Sequence, residues 1–147
     1  MSASERIRQD LKTAMRERDK PRLGALRMLG AALKNGEIEA GRPLEEQEEQ
    51  TILRRQLKQR EESAEAFGKA GREDQAAAEA AEAEVVRAYL PQPLSAEEME
   101  KVVDAAIQET GATGMRDMGR VMGRVTQLSE DRAEGRELSA LVKARLQ

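Results

Sequence analysis

Arg116, Arg120 and Arg124 recur every four residues in the stretch GMRDMGRVMGRV, residues 114–125, and Gly119 and Gly123 stand one place ahead of the last two. A guanidinium presents five N–H donors in a rigid fork, so a row of three suits the oxygens of a phosphate chain. The glycines need a reason of their own, because each costs a helix about 1 kcal/mol relative to alanine. Lacking a side chain, they let a second backbone approach closely. On a helical wheel advancing about 100° per residue, Met115, Met118, Met122 and Val125 share one side. The glycines border that side and the arginines lie beyond them. The order fits either a neighbouring helix seated on the strip or a phosphate backbone laid along it.

Catalytic chemistry finds less to work with. Glu61, Glu62 and Glu65 could act as acids, bases or Mg²⁺ ligands, but they stand among Arg54, Arg55, Lys58 and Arg60 on one long helix. Ion pairs on a solvated face are the expected use of such a pattern. No glycine-rich phosphate loop, no Ser/Lys pair in a glycine-rich setting and no His or Cys is present to act as or assist a nucleophile. No catalytic residue, metal ligand or cofactor is assigned.

The 147 residues suit one domain or two small ones. Charged residues make up 36% of the chain, which has one Phe and one Tyr, so any core is aliphatic. The lack of Cys and His removes disulfides and ordinary zinc sites and suggests a cytoplasmic address. Glu5, Arg6, Arg8 and Asp10 stand where a secretory leader would need an apolar run, and no segment approaches the length of a membrane span, so a soluble protein is expected. The net charge of -3 hides an asymmetry: residues 1–36 carry +5, residues 37–110 carry -10 and residues 111–147 carry +2. Such separation can offer a local positive surface to a polyanion, although a solvated helix face is the commoner origin of a charge run.

Helices must position these side chains, and the pattern is helical almost throughout, with breaks at Pro and Gly and no strand. Ser2 and Glu5 suit a capping box for a first helix, with Ile7, Leu11, Ala14 and Met15 at helical spacing up to about Arg18. Pro21 opens a second helix, in which Leu23, Leu26, Leu29 and Leu33 mark the buried face and which stops at Gly41 and Pro43. A third begins with Glu45, Glu46, Glu48 and Glu49 at its positive N-terminal dipole and continues through Ile52, Leu53 and Leu57 towards Phe67. Gly68 and Gly71 mark a turn into an alanine-rich fourth helix, Asp74 to Tyr89, burying Val85, Val86 and Tyr89.

LPQPLS, residues 90–95, cannot continue a helix. It predicts an all-α chain in two parts: a bundle-like helical domain over 1–90 and a small three-helix tail over 95–147. Ser95 and Glu98 suit a second capping box, with Leu94 and Met99 as a hydrophobic staple. Met99, Val102, Val103, Ala106 and Ile107 give that helix an apolar face, and GATG at 111–114 turns the chain with Thr113 as cap of the next. A last helix follows Gly135 and buries Leu138, Leu141, Val142 and Leu146.

Several stretches taken together are distinctive: RMLGAALKNGEIEAG at 27–41, FGKAGRED at 67–74, AYLPQPLS at 88–95, GATGMRDMGRVMGRV at 111–125, and GREL with LVK at 135–143. Through them the chain resembles the GatB/YqeY family, which joins free-standing YqeY proteins to the C-terminal part of the GatB component of the glutamine-dependent aspartyl/glutamyl-tRNA amidotransferase. The resemblance implies a helical N-terminal domain and a three-helix tail, the part that helps hold tRNA in the amidotransferase. At matching positions it implies RNA contact by Gly119, Arg120, Gly123, Arg124, Gly135, Arg136 and Lys143. Before Gly135 this chain reads SEDRAE, where relatives are often basic. The kinase-like cradle of full-length GatB lies outside this sequence, so the resemblance implies no catalysis by the chain alone.

Two functions of different kinds follow. The first is a non-catalytic RNA-binding module for tRNA or another structured RNA, using Arg116 with the seven residues above. It would read folded shape through phosphates, since one Phe and one Tyr cannot build a base-stacking platform. The second is a protein adaptor in translation that grips a partner's helix with the methionine face at 115, 118 and 122, unless those side chains form the tail's own core. An accessory role in tRNA-dependent amidation, a carbon–nitrogen ligase reaction with glutamine as amide donor, stands third. No membrane partner is expected.

Overall fold

Ser2 accepts the Glu5 amide at 3.1 Å and the Glu5 carboxylate accepts the Ser2 amide at 3.3 Å, so the first helix opens with the reciprocal cap its sequence predicts. The structure, a computed structural model, describes residues 1–147. It contains seven α-helices, one 3₁₀ turn and no strand, packed as two compact units, Met1–Pro91 and Gln92–Gln147.

The first unit holds α1 (Ala3–Glu17), α2 (Lys20–Ala40), α3 (Glu46–Lys69) and α4 (Glu73–Arg87). Arg18 turns left-handed, φ 56°, to end α1, and Asp19 then caps α2 by accepting the Arg22 amide at 3.3 Å. Pro21 is the second residue of α2 rather than the first, still within the turn that needs no amide donor. Ile7, Ala14, Leu26, Leu29, Leu33, Leu53, Val86 and Tyr89 make the core, aliphatic except for Tyr89, with Leu23 and Val85 only partly buried at its edge. A Cβ at Gly36 would lie 2.5 Å from Ile52 Cδ1, so the glycine leaves the space in which the end of the Ile52 side chain is seated.

Three expectations need correction here. Gly68 stays inside α3, and only Gly71, φ 74°, makes the turn. α4 ends at Arg87, so Tyr89 is buried from a turn beyond it. Glu49 does not merely complement the dipole of its own helix. It is 4% exposed, and its carboxylate accepts the Ala3 amide at 3.4 Å, the Ser4 amide at 3.0 Å and the Ser4 hydroxyl at 2.9 Å.

The second unit holds α5 (Ala96–Thr110), a 3₁₀ turn (Met115–Asp117), α6 (Met118–Ser129) and α7 (Gly135–Leu146) around Val103, Ala106, Val121, Val125, Leu138, Val142 and Leu146. Ser95 caps α5 by accepting the Glu98 amide at 3.1 Å, but the reciprocal half of the box is missing. The Glu98 carboxylate instead accepts the Ser95 hydroxyl at 3.2 Å and pairs with Arg132 at 3.6 Å. Arg132 also donates its Nε–H to the Gln92 carbonyl at 2.7 Å, and its own carbonyl accepts the Leu94 amide at 2.7 Å. One loop arginine therefore fastens the start of the unit to the loop before α7.

Candidate nucleic-acid interface

The glycine and arginine stretch is not one continuous α-helix. Met115, Arg116 and Asp117 form the 3₁₀ turn, and α6 starts only at Met118. Asp117 sets this break: its carboxylate accepts the Thr113 amide at 3.0 Å on one oxygen and an Arg120 N–H at 2.7 Å on the other. Thr113 is thus bonded by a cap rather than being one, which corrects its expected role. The Thr113 amide, followed by the Arg120 guanidinium, holds the Asp117 carboxyl down at about 2. Arg116 leaves the wheel that Arg120 and Arg124 share.

The buried face of α6 is also centred differently from the expected one. Val121 and Val125 are fully buried, Met118 and Met122 pack partly buried against the same core, and Met115 is 41% exposed. With the core centred on the valines, Gly119 and Gly123 fall on the outer side of the helix. Both are exposed, and a Cβ at either would meet nothing within 4 Å. No helix of the second unit is seated on the strip, which corrects that half of the expectation. Met118 and Met122 belong to the core, and Met115 does not.

Arg120 and Arg124 lie beside the strip on the side towards α5. Arg120 donates to Asp117 and, at 3.3 Å, to the Thr110 carbonyl at the end of α5. That carbonyl end carries partial negative charge, which favours a cation. Arg124 donates its Nε–H to Glu109 and another N–H to the Gln127 amide oxygen at 3.1 Å. The two side chains remain 62% and 39% exposed, and each keeps unbonded N–H donors. Arg116 is exposed and has no partner within the chain.

The remaining candidates start from the other end of α6. Gly135 opens α7, after a turn in which Glu130 and Asp131 both adopt left-handed φ angles of 50° and 60°. Arg136 and Lys143, seven residues apart, lie on one face of α7 about 10 Å apart along its axis. Both are exposed and unpartnered. The eight predicted residues thus stand on different elements, five on the 3₁₀ turn and α6 and three on α7. What the sequence reading missed is the set of acceptors. Asp117, three residues before Arg120, carried a legible signal, whereas Glu109 and the Thr110 carbonyl reach the arginines only through the turn between α5 and α6.

The glutamates considered for catalysis each face a cation: Glu61 with Arg87 at 3.5 Å, Glu62 with Lys58 at 4.0 Å and Glu65 with Lys69 at 3.0 Å. No helix is long and apolar enough to cross a membrane.

Comparison with known proteins gives a match over residues 4–146 to the family model described as Yqey-like protein. Two fungal proteins named "Altered inheritance of mitochondria protein 41, mitochondrial" are similar to this chain. The protein of Pyrenophora tritici-repentis is 31% identical over 130 residues, covering 87% of this chain and 71% of its own. That of Eremothecium gossypii is 34% identical over 124 residues, covering 82% and 68%.

Proposed function

This chain belongs to the Yqey-like protein family, and from that premise we propose that it is a non-catalytic RNA-binding protein whose second unit holds the phosphate backbone of tRNA or another structured RNA. The observation that carries the reading is the open strip of Gly119 and Gly123 beside Arg120 and Arg124, with Arg116 exposed on the turn before α6. The Gly123 amide is bonded within α6, so that glycine supplies room rather than a donor, and the donors of the strip are guanidinium N–H groups. Arg136 and Lys143 extend the contact along α7. Folded shape rather than base sequence is read, because the second unit has no aromatic residue. Three to five neutralised phosphates give a slope of log K against log salt of roughly -2 to -4.5.

The adaptor reading has less behind it, because Met118 and Met122 are core and only Met115 is well exposed. The likeness to the amidotransferase component supports tRNA as the RNA and presentation of that tRNA to an amidating partner as its use. The setting is cytoplasmic, or mitochondrial as the names of the two fungal relatives read.

Gly123→Leu tests the proposal. A leucine there meets open space, so the variant keeps its helicity and thermal midpoint, while the side chain blocks the strip and RNA affinity falls. Stable Gly123→Leu protein that binds tRNA as the wild type does would overturn this reading.

A further inference from the structure

Lys20, Arg27 and Lys34 recur every seven residues along α2, so neighbouring members of the row differ by only about 20° around the helix and the row runs about 21 Å. They lie on the side away from Leu26, Leu29 and Leu33. All three are exposed, and none has a hydrogen bond or ion pair within the chain. Gly24 and Ala31 lie between them on the same face, also exposed, and a Cβ at Gly24 would meet nothing within 4 Å. On the wheel the nearest acids of α2, Glu37 and Glu39, fall to either side of this face. On α3, by contrast, Lys58 and Lys69 are paired in place with Glu62 and Glu65. A row of like charges left uncompensated, in a chain with 28 Asp and Glu against 25 Lys and Arg, is a positive line on an otherwise acidic protein.

We propose that this face of α2 is a second nucleic-acid surface, a line of cations that takes a phosphate backbone laid along the helix. The small residues between the cations let a rod-like polyanion lie close, and three charges about 10 Å apart neutralise phosphates along its length. With no aromatic side chain on the face, the contact is with backbone and carries no base sequence. A membrane surface fits less well: the apolar side of α2 is already spent on the core, and Ile38 alone at the end of the row is too little to insert. This inference goes beyond the proposed function, because it involves no residue of the second unit.

The test uses the full chain and a labelled RNA duplex of about 20 base pairs, followed by anisotropy over a series of salt concentrations. K20E/R27E/K34E should flatten the slope of log K against log salt by about 2 to 3 while leaving helicity unchanged. A charge-matched control, R55E/R72E/K101E, reverses exposed and unpaired cations that are scattered over the chain, and should change the slope far less. Equal flattening by the control, or an unchanged slope in the α2 variant, overturns the proposal. A third variant, R116E/R136E/K143E, separates the two surfaces: binding lost in that variant alone overturns the α2 surface and leaves the reading of the second unit standing. Binding lost in the α2 variant alone does the reverse. Wild-type protein that ignores the duplex but sediments with phosphatidylcholine vesicles containing about one-third phosphatidylserine also overturns the proposal, because its partner is then a membrane.

Discussion

Glu49 on α3 accepts both the amide and the hydroxyl of Ser4, at 3.0 and 2.9 Å, and so closes the start of α1 from 45 residues away. The first amides of a helix have no partner of their own, and a buried carboxylate supplies charge-assisted acceptors for them. Removing it strands those donors where water reaches poorly. Glu49→Ala should therefore cost about 2 to 3 kcal/mol of the first unit's stability, measured by urea unfolding. Glu49→Gln keeps one acceptor oxygen and should cost less. A loss in the alanine variant below about 0.5 kcal/mol, the range of an ordinary surface change, would contradict this account.

Tyr89 ties the end of the first unit to α1. Its hydroxyl donates to Asp10, the Arg6 guanidinium lies 5.0 Å from its ring centroid, and Arg6 also donates to the Ala88 carbonyl at 3.2 Å. Burial first, and the Asp10 carboxylate second, push the phenol up to about 12. With the folded value above the unfolded value of about 10, the stabilisation is complete below pH ~10 and is lost as pH rises towards 12. Because Tyr89 is the single tyrosine, an absorbance titration reads it alone and should show a midpoint near 12 in folded protein. Asp10→Asn should lower that midpoint while leaving it above 10, since burial remains. A wild-type midpoint at 10 would show the ring to be solvated.

Much of this was legible from residue pattern. The caps at Ser2 and Ser95, the leucines of α2 and the apolar faces of α5 and α7 all follow from local spacing, because each depends on neighbours within one helical turn. What was not legible depends on distant partners. Glu49 reads as a dipole residue of α3 until α1 is placed beside it, and no local pattern shows that the end of Ile52 is seated against Gly36. At the candidate site, the spacing of the arginines and glycines was plain. The 3₁₀ turn that displaces Arg116, and the acids that hold Arg120 and Arg124, were hidden because a uniform wheel assumes one unbroken helix and no neighbours.

Asp117 supports the turn into α6 through an acceptor bond from the Thr113 amide and another from Arg120. Its carboxyl is held below its ordinary value, at about 2, so the folded form is favoured while it is ionised. That contribution is complete above the unfolded value of about 4 and is lost as pH falls from there towards 2. Thermal unfolding of the second unit should show a decline across this window. Asp117→Asn should lower stability at neutral pH and flatten that decline. An Asp117→Asn variant with an unchanged acid profile would place the decline elsewhere.

On the proposed RNA-binding reading, Glu109 competes with a phosphate for Arg124. The pair bridges α5 and α6, and both side chains are substantially exposed, so its own worth to the fold is about 0.2 to 1 kcal/mol. A phosphate chain on the glycine strip must share or displace this bond, and the Glu109 charge also repels it. Glu109→Gln removes that charge without removing length, which frees the Arg124 fork for phosphate. RNA affinity should then rise a few-fold, and the salt slope should steepen by up to about 0.9, the contribution of one further neutralised phosphate. The thermal midpoint should move little, because an exposed pair is lost. Two outcomes count against the strip as the RNA surface: unchanged affinity, which would mean that Arg124 never meets the ligand, and a fall in affinity without unfolding, which would mean that Glu109 itself is bound.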